Sequence, residues 1–498
     1  MNGKPGVVLF LCFTALALGA CSGLGNAGKG GGGGGGGGSN GTLDVTMIDT
    51  APPAGASVLS FRATITGVSV TPSSGSPVAL NLSPASPVVE LTRLQSDSAL
   101  LGSFSVASGT YTGMSVGLAS PDVVIYNQTG SSLGGALAAC PNDSVCEFRP
   151  TVATVVPVTF TPALTISSSA PQGLALDFNF ANMLAFSNGT LSVDFTQANV
   201  LSTVSLPRTG ELSGTLDLVE DFTGVVTAVN QTSGTMTIKS GTRGAMTATV
   251  NSSTIYNDPQ SLCAGGSFTL ACLANNTNLA VVSADAALNP NGSLALLELD
   301  LLNLPSASQD EVEGTVYQSN GSNQFSMILA DEYVENATSP LAGAAAGAQV
   351  SVTINAGANF LVDPKNLGSF TSLTGFQSAS DLVNGQTVMV HVVSASTGGN
   401  GIISVTTNQV MLRYTRVTGS VSYVGATAFN ISSTSLPAFY PSFPVSPQVE
   451  TFSSATVFDN ANGLGDLSIG DTVALRALFL NPSTAGAYPF LAAKARKD

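Results

Sequence analysis

The chain has 498 residues, of which 54 are glycine, none is tryptophan and only 9% are charged. Thirty acids against 15 bases leave a net charge of −15, which argues against a nucleic-acid partner, because neutralising phosphates needs a basic face. Hydrophobic residues at 44% exclude a wholly disordered chain, and the single histidine, His391, excludes a multi-histidine metal site.

Residues 1–20 place Lys4 ahead of a nearly continuous apolar run, Val7 to Ala20, and read as a secretory signal peptide. The run is short of the ~20 apolar residues of a membrane span. Its junction, Leu18-Gly19-Ala20-Cys21, resembles the lipobox of bacterial lipoproteins. That resemblance implies a lipidated Cys21 as first mature residue, and Ser22 in place of Asp then implies sorting to the outer membrane. Residues 21–40 read as a Gly-rich tether, since the nine glycines Gly30–Gly38 have no side chains to bury and maximal backbone entropy. The spacing from Gly23 to Lys29 imitates a phosphate-binding loop. It lacks the following Ser or Thr and the flanking strand and helix, so no nucleotide site is expected. With Cys12 in the signal and Cys21 lipidated, Cys140/Cys146 and Cys263/Cys272 remain as two local pairs. They are expected as short-loop disulfides in an oxidising compartment; zinc would need both pairs to converge from different domains.

The length suggests three or four domains. Helical periodicity is nearly absent. Short alternating runs such as Leu174–Phe180, Val388–Val393 and Val473–Phe479 read as strands between Gly, Pro, Asn, Asp and Ser. In Phe61–Val70 the apolar phase switches at Gly67, where a β-bulge would restore the inward face. Residues 41–208 form a first block, opening with a strand that runs into Asp49-Thr50-Ala51-Pro52, an Asp-x-x-Pro turn. This opening, the strand Phe61–Val70 and the step from Gly109-Thr110-Tyr111 into Met114, Val116 and Leu118 resemble a bacterial lipoprotein domain, domain-of-unknown-function family 4382. The resemblance covers about 150 residues and implies a prealbumin-like or carboxypeptidase-regulatory-like β-sandwich with no known activity. Asp44 and Asp49 read as strand-end turn residues rather than cation ligands.

From about residue 213 the chain repeats itself. The units open on Gly224-Val225-Val226, Gly314-Thr315-Val316 and Gly419-Ser420-Val421, with offsets of 90 and then 105 residues. Each continues through a second strand to a strand ending in an aromatic and Asp, around Tyr256, Phe360 and Phe458. Two units share a Gly turn into the fourth strand, at Gly385 and Gly470; the first unit lacks that glycine. Repeats this long mean tandem domains rather than a solenoid. The pattern resembles domain-of-unknown-function family 5666 over about 280 residues, which implies three small five-stranded OB-like barrels. The domains expected are therefore 213–303, 310–412 and 413–498, after the sandwich, in an all-β chain.

Candidate chemistry is sparse. Gly113-Met114-Ser115-Val116-Gly117 matches a nucleophile elbow in spacing, but its residues alternate like a strand and no helix follows. His391 shares a strand face with Met389 and Val393 and reads as a partly buried strand residue. The acid clusters Asp310-Glu311-Glu313 and Asp331-Glu332-Glu335 lack calcium-loop spacing, which leaves the Asn/Gly-rich loop Asp459–Asp466 as the best calcium candidate. The Asn-x-Ser/Thr sites at Asn127, Asn188, Asn230 and Asn430 reflect an Asn/Ser/Thr-rich surface. No catalytic, cofactor or metal residue is assigned. The sequence reads as a non-catalytic, lipid-anchored extracytoplasmic envelope protein, a spacer or interaction protein with an unknown envelope-protein or glycan partner and no nucleic acid. The alternative is a glycan- or protein-binding module, and behind it a hydrolase.

Overall fold

The computed structural model describes residues 39–498 apart from 51–56, 135–139, 188–189, 211, 264–267, 305–309, 334–337, 343, 345, 368–372, 399–400, 454 and 487. Within these the chain is all-β, with only short helices such as Leu91–Leu94, Phe180–Met183 and Leu270–Asn275. The reason is local. Alternating apolar and small polar residues give each strand one face to bury, and Gly, Asn and Asp end it.

Two sheets make the N-terminal sandwich. One holds Asn40–Thr50 between the antiparallel Ala99–Ala107 and the parallel Gln172–Asn179, with Leu201–Leu206 at its edge. The other is built on Ser57–Pro72 against Gly109–Asn127. Its register slips between Ile65 and Gly67, so that Phe61, Ala63 and Ile65, then Val68 and Val70, all face the core, as the phase switch requires. Leu43, Val45, Leu174 and Leu176 meet them from the opposite sheet. Cys140–Cys146 is a disulfide that ties a loop to the strand Ser144–Phe148.

Three closed rings of five strands follow, all wound alike, and in the first and third a short sixth strand, Ile255–Asn257 and Val457–Asp459, lies parallel to the last. In the first, Asp217–Asn230 pairs Thr235–Ser240, which pairs Gly244–Thr249; the ring closes through Leu294–Asn303 and Val281–Leu288. In each barrel the third and fifth strands are parallel. Two repeat signals have clear structural causes. The repeat glycine faces the first residue of the fourth-strand core: Gly224 opposite Val282, Gly314 opposite Val388, Gly419 opposite Val473. The turn glycines Gly385 and Gly470, at φ +94° and +96°, donate their amides to Val316 and Val421. In the first unit Asn278, at φ +64°, makes the same bond to Val226, since Asn tolerates the left-handed region. Cys263–Cys272 is a disulfide beside this turn.

The expected break between residues 412 and 413 falls inside one continuous strand, Ile403–Val424. Its first half closes the second barrel and its second half opens the third. The apolar cores also cross the repeats: Leu478, Leu480 and Leu491 of the third unit pack into the second core, and Leu59 and Val124 of the sandwich pack into the third. The barrels share walls.

Candidate functional site

The outer faces of the barrels meet in a buried ionic hub. Equivalent positions carry its charges. Three residues before the repeat glycine stand Asp221, Glu311 and Arg416. Three residues past the facing valine stand Asp285, His391 and Arg476, paired on the last strand with Glu298, Gln409 and Lys494. The flanking residues Ala284 and Ala286, Val390 and Val392, Leu475 and Ala477 fill the three barrel cores, so these polar positions point outward. The first barrel presents acids there, the third presents bases and the second is nearly neutral.

Acid meets base directly. Asp221 accepts from Arg413 at 2.9 Å and from Arg416 at 2.5 Å. Glu220 holds Lys494 at 2.5 Å and Arg476 at 3.4 Å. The second barrel adds both signs: Lys365 reaches Asp285 at 2.8 Å, while Glu313 and Asp363 accept from Arg413. Arg413 is fully buried, so its guanidinium is matched by three carboxylates from two barrels.

The sandwich closes the hub with one segment, Leu91 to Ser98. Arg93 pairs Glu313 at 2.7 Å, Asp97 pairs Arg416 at 2.7 Å, and Gln95 accepts from Thr418 at 2.9 Å. Arg496 donates back to the carbonyls of Leu94 and Asp49. Arg208, on the link to the first barrel, bridges Asp217 at 2.7 Å and Asp459 at 2.8 Å.

The electrostatics follow from this matching. Burial alone would raise the Asp221 carboxyl, but Arg413, Lys365 and Arg416 hold it well below the usual carboxylate range. The same competition leaves Asp97, Asp285 and Asp459 lowered. The acid face has a surplus at one edge. Glu298 and Asp300 share the amide of Asn257, at 2.6 and 2.8 Å. Burial, with Asp300 beside it, pushes Glu298 up to about 8, and burial pushes Asp300 up to about 6. In the second barrel the hydrogen bond to Glu311 raises His391 against its burial, and burial raises Glu311.

The residues singled out from sequence fall as follows. Cys21, the tether to Gly38 and Asn188 lie outside the described residues. Cys140, Cys146, Cys263 and Cys272 form the two local disulfides. Ser115 sits mid-strand, opposite Ser69 and Pro157. His391 is a buried strand residue bonded to Glu311, a partner the sequence reading did not supply. Of the two acid clusters, Glu335 lies outside the described residues, while Glu313 accepts from Arg93 and Arg413, Asp331 from Ser240 and Asp310 from Ser339. Asp49 accepts from the amide of Phe180, far along the chain, and Asp44 from Ser103. In the loop Asp459–Asp466, Asp459 is held by Arg208 while Asp466 accepts from the amide of Asn462 at 2.8 Å. No group of three or more His, Cys, Asp or Glu side chains that could hold a metal occurs among the described residues. Asn127 ties its own loop by donating to Ser131, Cys140 and Pro141 carbonyls.

The hub itself was missed. Its signal was present: Arg413, Arg476, Lys494 and Arg496 each interrupt an apolar strand, in a chain with only 15 bases. A charge there needs a buried counter-charge or solvent. Comparison with models of known protein families finds none that matches this chain, and comparison with curated proteins finds no similar sequence.

Proposed function

We propose that the chain is a non-catalytic, lipid-anchored lipoprotein of the outer membrane, whose folded part serves the cell envelope as a rigid spacer or interaction protein. The observation that carries the reading is the hub. The barrel bases that could have lined an open site are instead matched by acids across module boundaries, which fits a scaffold that must keep its shape. The export half rests on Leu18–Cys21 after its apolar run, and the two disulfides suit an oxidising compartment. The likeness to the two domain-of-unknown-function families belongs to this proposal and rests on motifs alone.

Fractionation tests it. The native chain should partition with membranes and the Cys21→Ala chain should be left unprocessed or soluble, because lipid chains supply about 0.8 kcal/mol per buried CH2. Mature Cys21→Ala protein that still sediments with membranes would remove the anchor from the reading. Capture of the native protein from detergent-solubilised envelope, with no envelope partner recovered, would favour spacer over interaction protein.

A further inference from the structure

A cavity of about 460 Å3 lies where the sandwich meets the second and third barrels. Small-molecule sites typically measure about 300–1,000 Å3. Arg93 and Gln95 wall it from the sandwich, Thr315 and Thr387 from the second barrel, Thr418 and Thr472 from the third. The threonines face it for a simple reason. Their neighbours Val316, Val388, Val417 and Val473 fill the barrel cores, so alternation turns each hydroxyl outward. Thr315 and Thr387 are direct cross-strand partners, which places two hydroxyls side by side.

This wall has unused hydrogen-bonding capacity. The hydroxyls of Thr315, Thr387 and Thr472 make no hydrogen bond with another described residue. The charges around the cavity are already matched: Arg93 by Glu313, Arg416 by Asp97 and Asp221, and Glu90 by donors from Ser60, Phe61 and Thr92. An anion would find no unmatched cation there among the described residues. Hydroxyls, which donate and accept at once, match hydroxyls. Phe439 and Tyr440 add an apolar flank.

We propose that this cavity binds a neutral polyhydroxylated molecule the size of one or two sugar rings. Thr315, Thr387 and Thr472 exchange hydrogen bonds with its hydroxyls. The proposal does not rest on the anchoring reading and stands or falls separately from it.

Calorimetric titration of the full-length chain in detergent tests it, with glucose and maltose as neutral probes and glucuronate as the charged one. Maltose should bind with saturable heat, and glucuronate more weakly. Thr315→Val with Thr387→Val should weaken maltose by about fivefold, the loss expected for one or two neutral hydrogen bonds. Thermal melts of the variant verify its fold. If the double variant does not fold, Thr472→Val alone at the cavity rim carries the same test. Neutral sugars that fail to bind up to ~20 mM, well above the ~1 mM dissociation constant that corresponds to only about −4.1 kcal/mol, overturn the proposal. So does maltose binding untouched by the threonine changes, or a preference for glucuronate.

Discussion

At Gly314 an added Cβ would lie 2.4 Å from the carbonyl oxygen of Ile328, and at Gly224 2.4 Å from that of Lys239. Neither glycine needs an unusual φ. The first strand crosses the second so closely that a side chain has no room, and the clashing atom is backbone, which cannot swing away. Gly314→Ala should therefore lower the denaturant midpoint by an amount equivalent to about 1–3 kcal/mol, the usual cost of overpacking. Unchanged stability would show that the two strands can move apart at this crossing. Glu298 offers a second residue-scale prediction. Its folded pKa, about 8, lies above the ordinary value, as do those of Asp300 and Asp44, at about 6 each. A raised acid binds more protons folded than unfolded, so its stabilising contribution is full below the unfolded pKa, near 4, and is lost as pH rises through the folded value. Asp97, Asp221, Asp285 and Asp459 are lowered, so their contribution is lost only as pH falls below the ordinary carboxylate range. Thermal stability should peak near pH 5 and decline toward pH 8. Glu298→Gln, which still accepts from Asn257, should flatten that decline and raise the pH 8 melting temperature by about 2 °C or more. A pH profile identical to the parent's would remove Glu298 from the account.

At the scale of the element, the strand Ile403–Val424 does two jobs. It closes one barrel, opens the next, and carries Arg413 and Arg416 at the handover. Removing one partner of a buried ion pair leaves the other uncompensated, at a cost of about 3–5 kcal/mol, while replacing both by well-packed apolar groups can be neutral. Arg413→Met should thus be severely destabilising. Its carboxylate partners Asp221, Glu313 and Asp363 cannot all be relieved by one change, so adding Asp221→Asn should recover only part of the loss. The coupling energy of that double-mutant cycle reads the contact directly, and a value near zero would mean the pair is incidental. What the hub contributes is better described as choice of partner than as net stability. Three barrels of one design could stack in several ways, and an acid face, a near-neutral face and a basic face select among them.

For the whole molecule the consequence is cooperativity. The repeats suggest separate beads, each small and weakly stable alone. Shared strands, cores that cross units and a sandwich segment buried in the hub predict one unfolding transition over residues 39–498. Phe458 is a half-buried side chain at the edge of the third core, and its own carbonyl oxygen abuts Gly210 on the link from the sandwich. Phe458→Ala should then loosen contacts beyond the third barrel, including the Arg208–Asp459 bridge, rather than melt residues 413–498 alone. Hydrogen exchange mapped along the chain decides this. Loss of protection confined to the third barrel would restore the picture of independent domains.

The sequence by itself determined the local grammar. Two-residue alternation, the phase switch at Gly67 and the short cysteine spacings each depend on neighbours within a few residues, so strand faces, the bulge and the disulfides were legible. Asn278 was not legible as a glycine equivalent, because asparagine adopts many backbone conformations and nothing in its neighbourhood marks this one as the left-handed turn. Only the tertiary structure decided where the charges go. Arg413 and Asp221 are 192 residues apart, and Arg416 and Asp97 are 319 apart. A strand's outward face is either solvated or covered, and no local pattern says which. Whether a basic outward face becomes a binding surface or a seam depends on whether another module brings acids to it, and that is settled only when the modules meet.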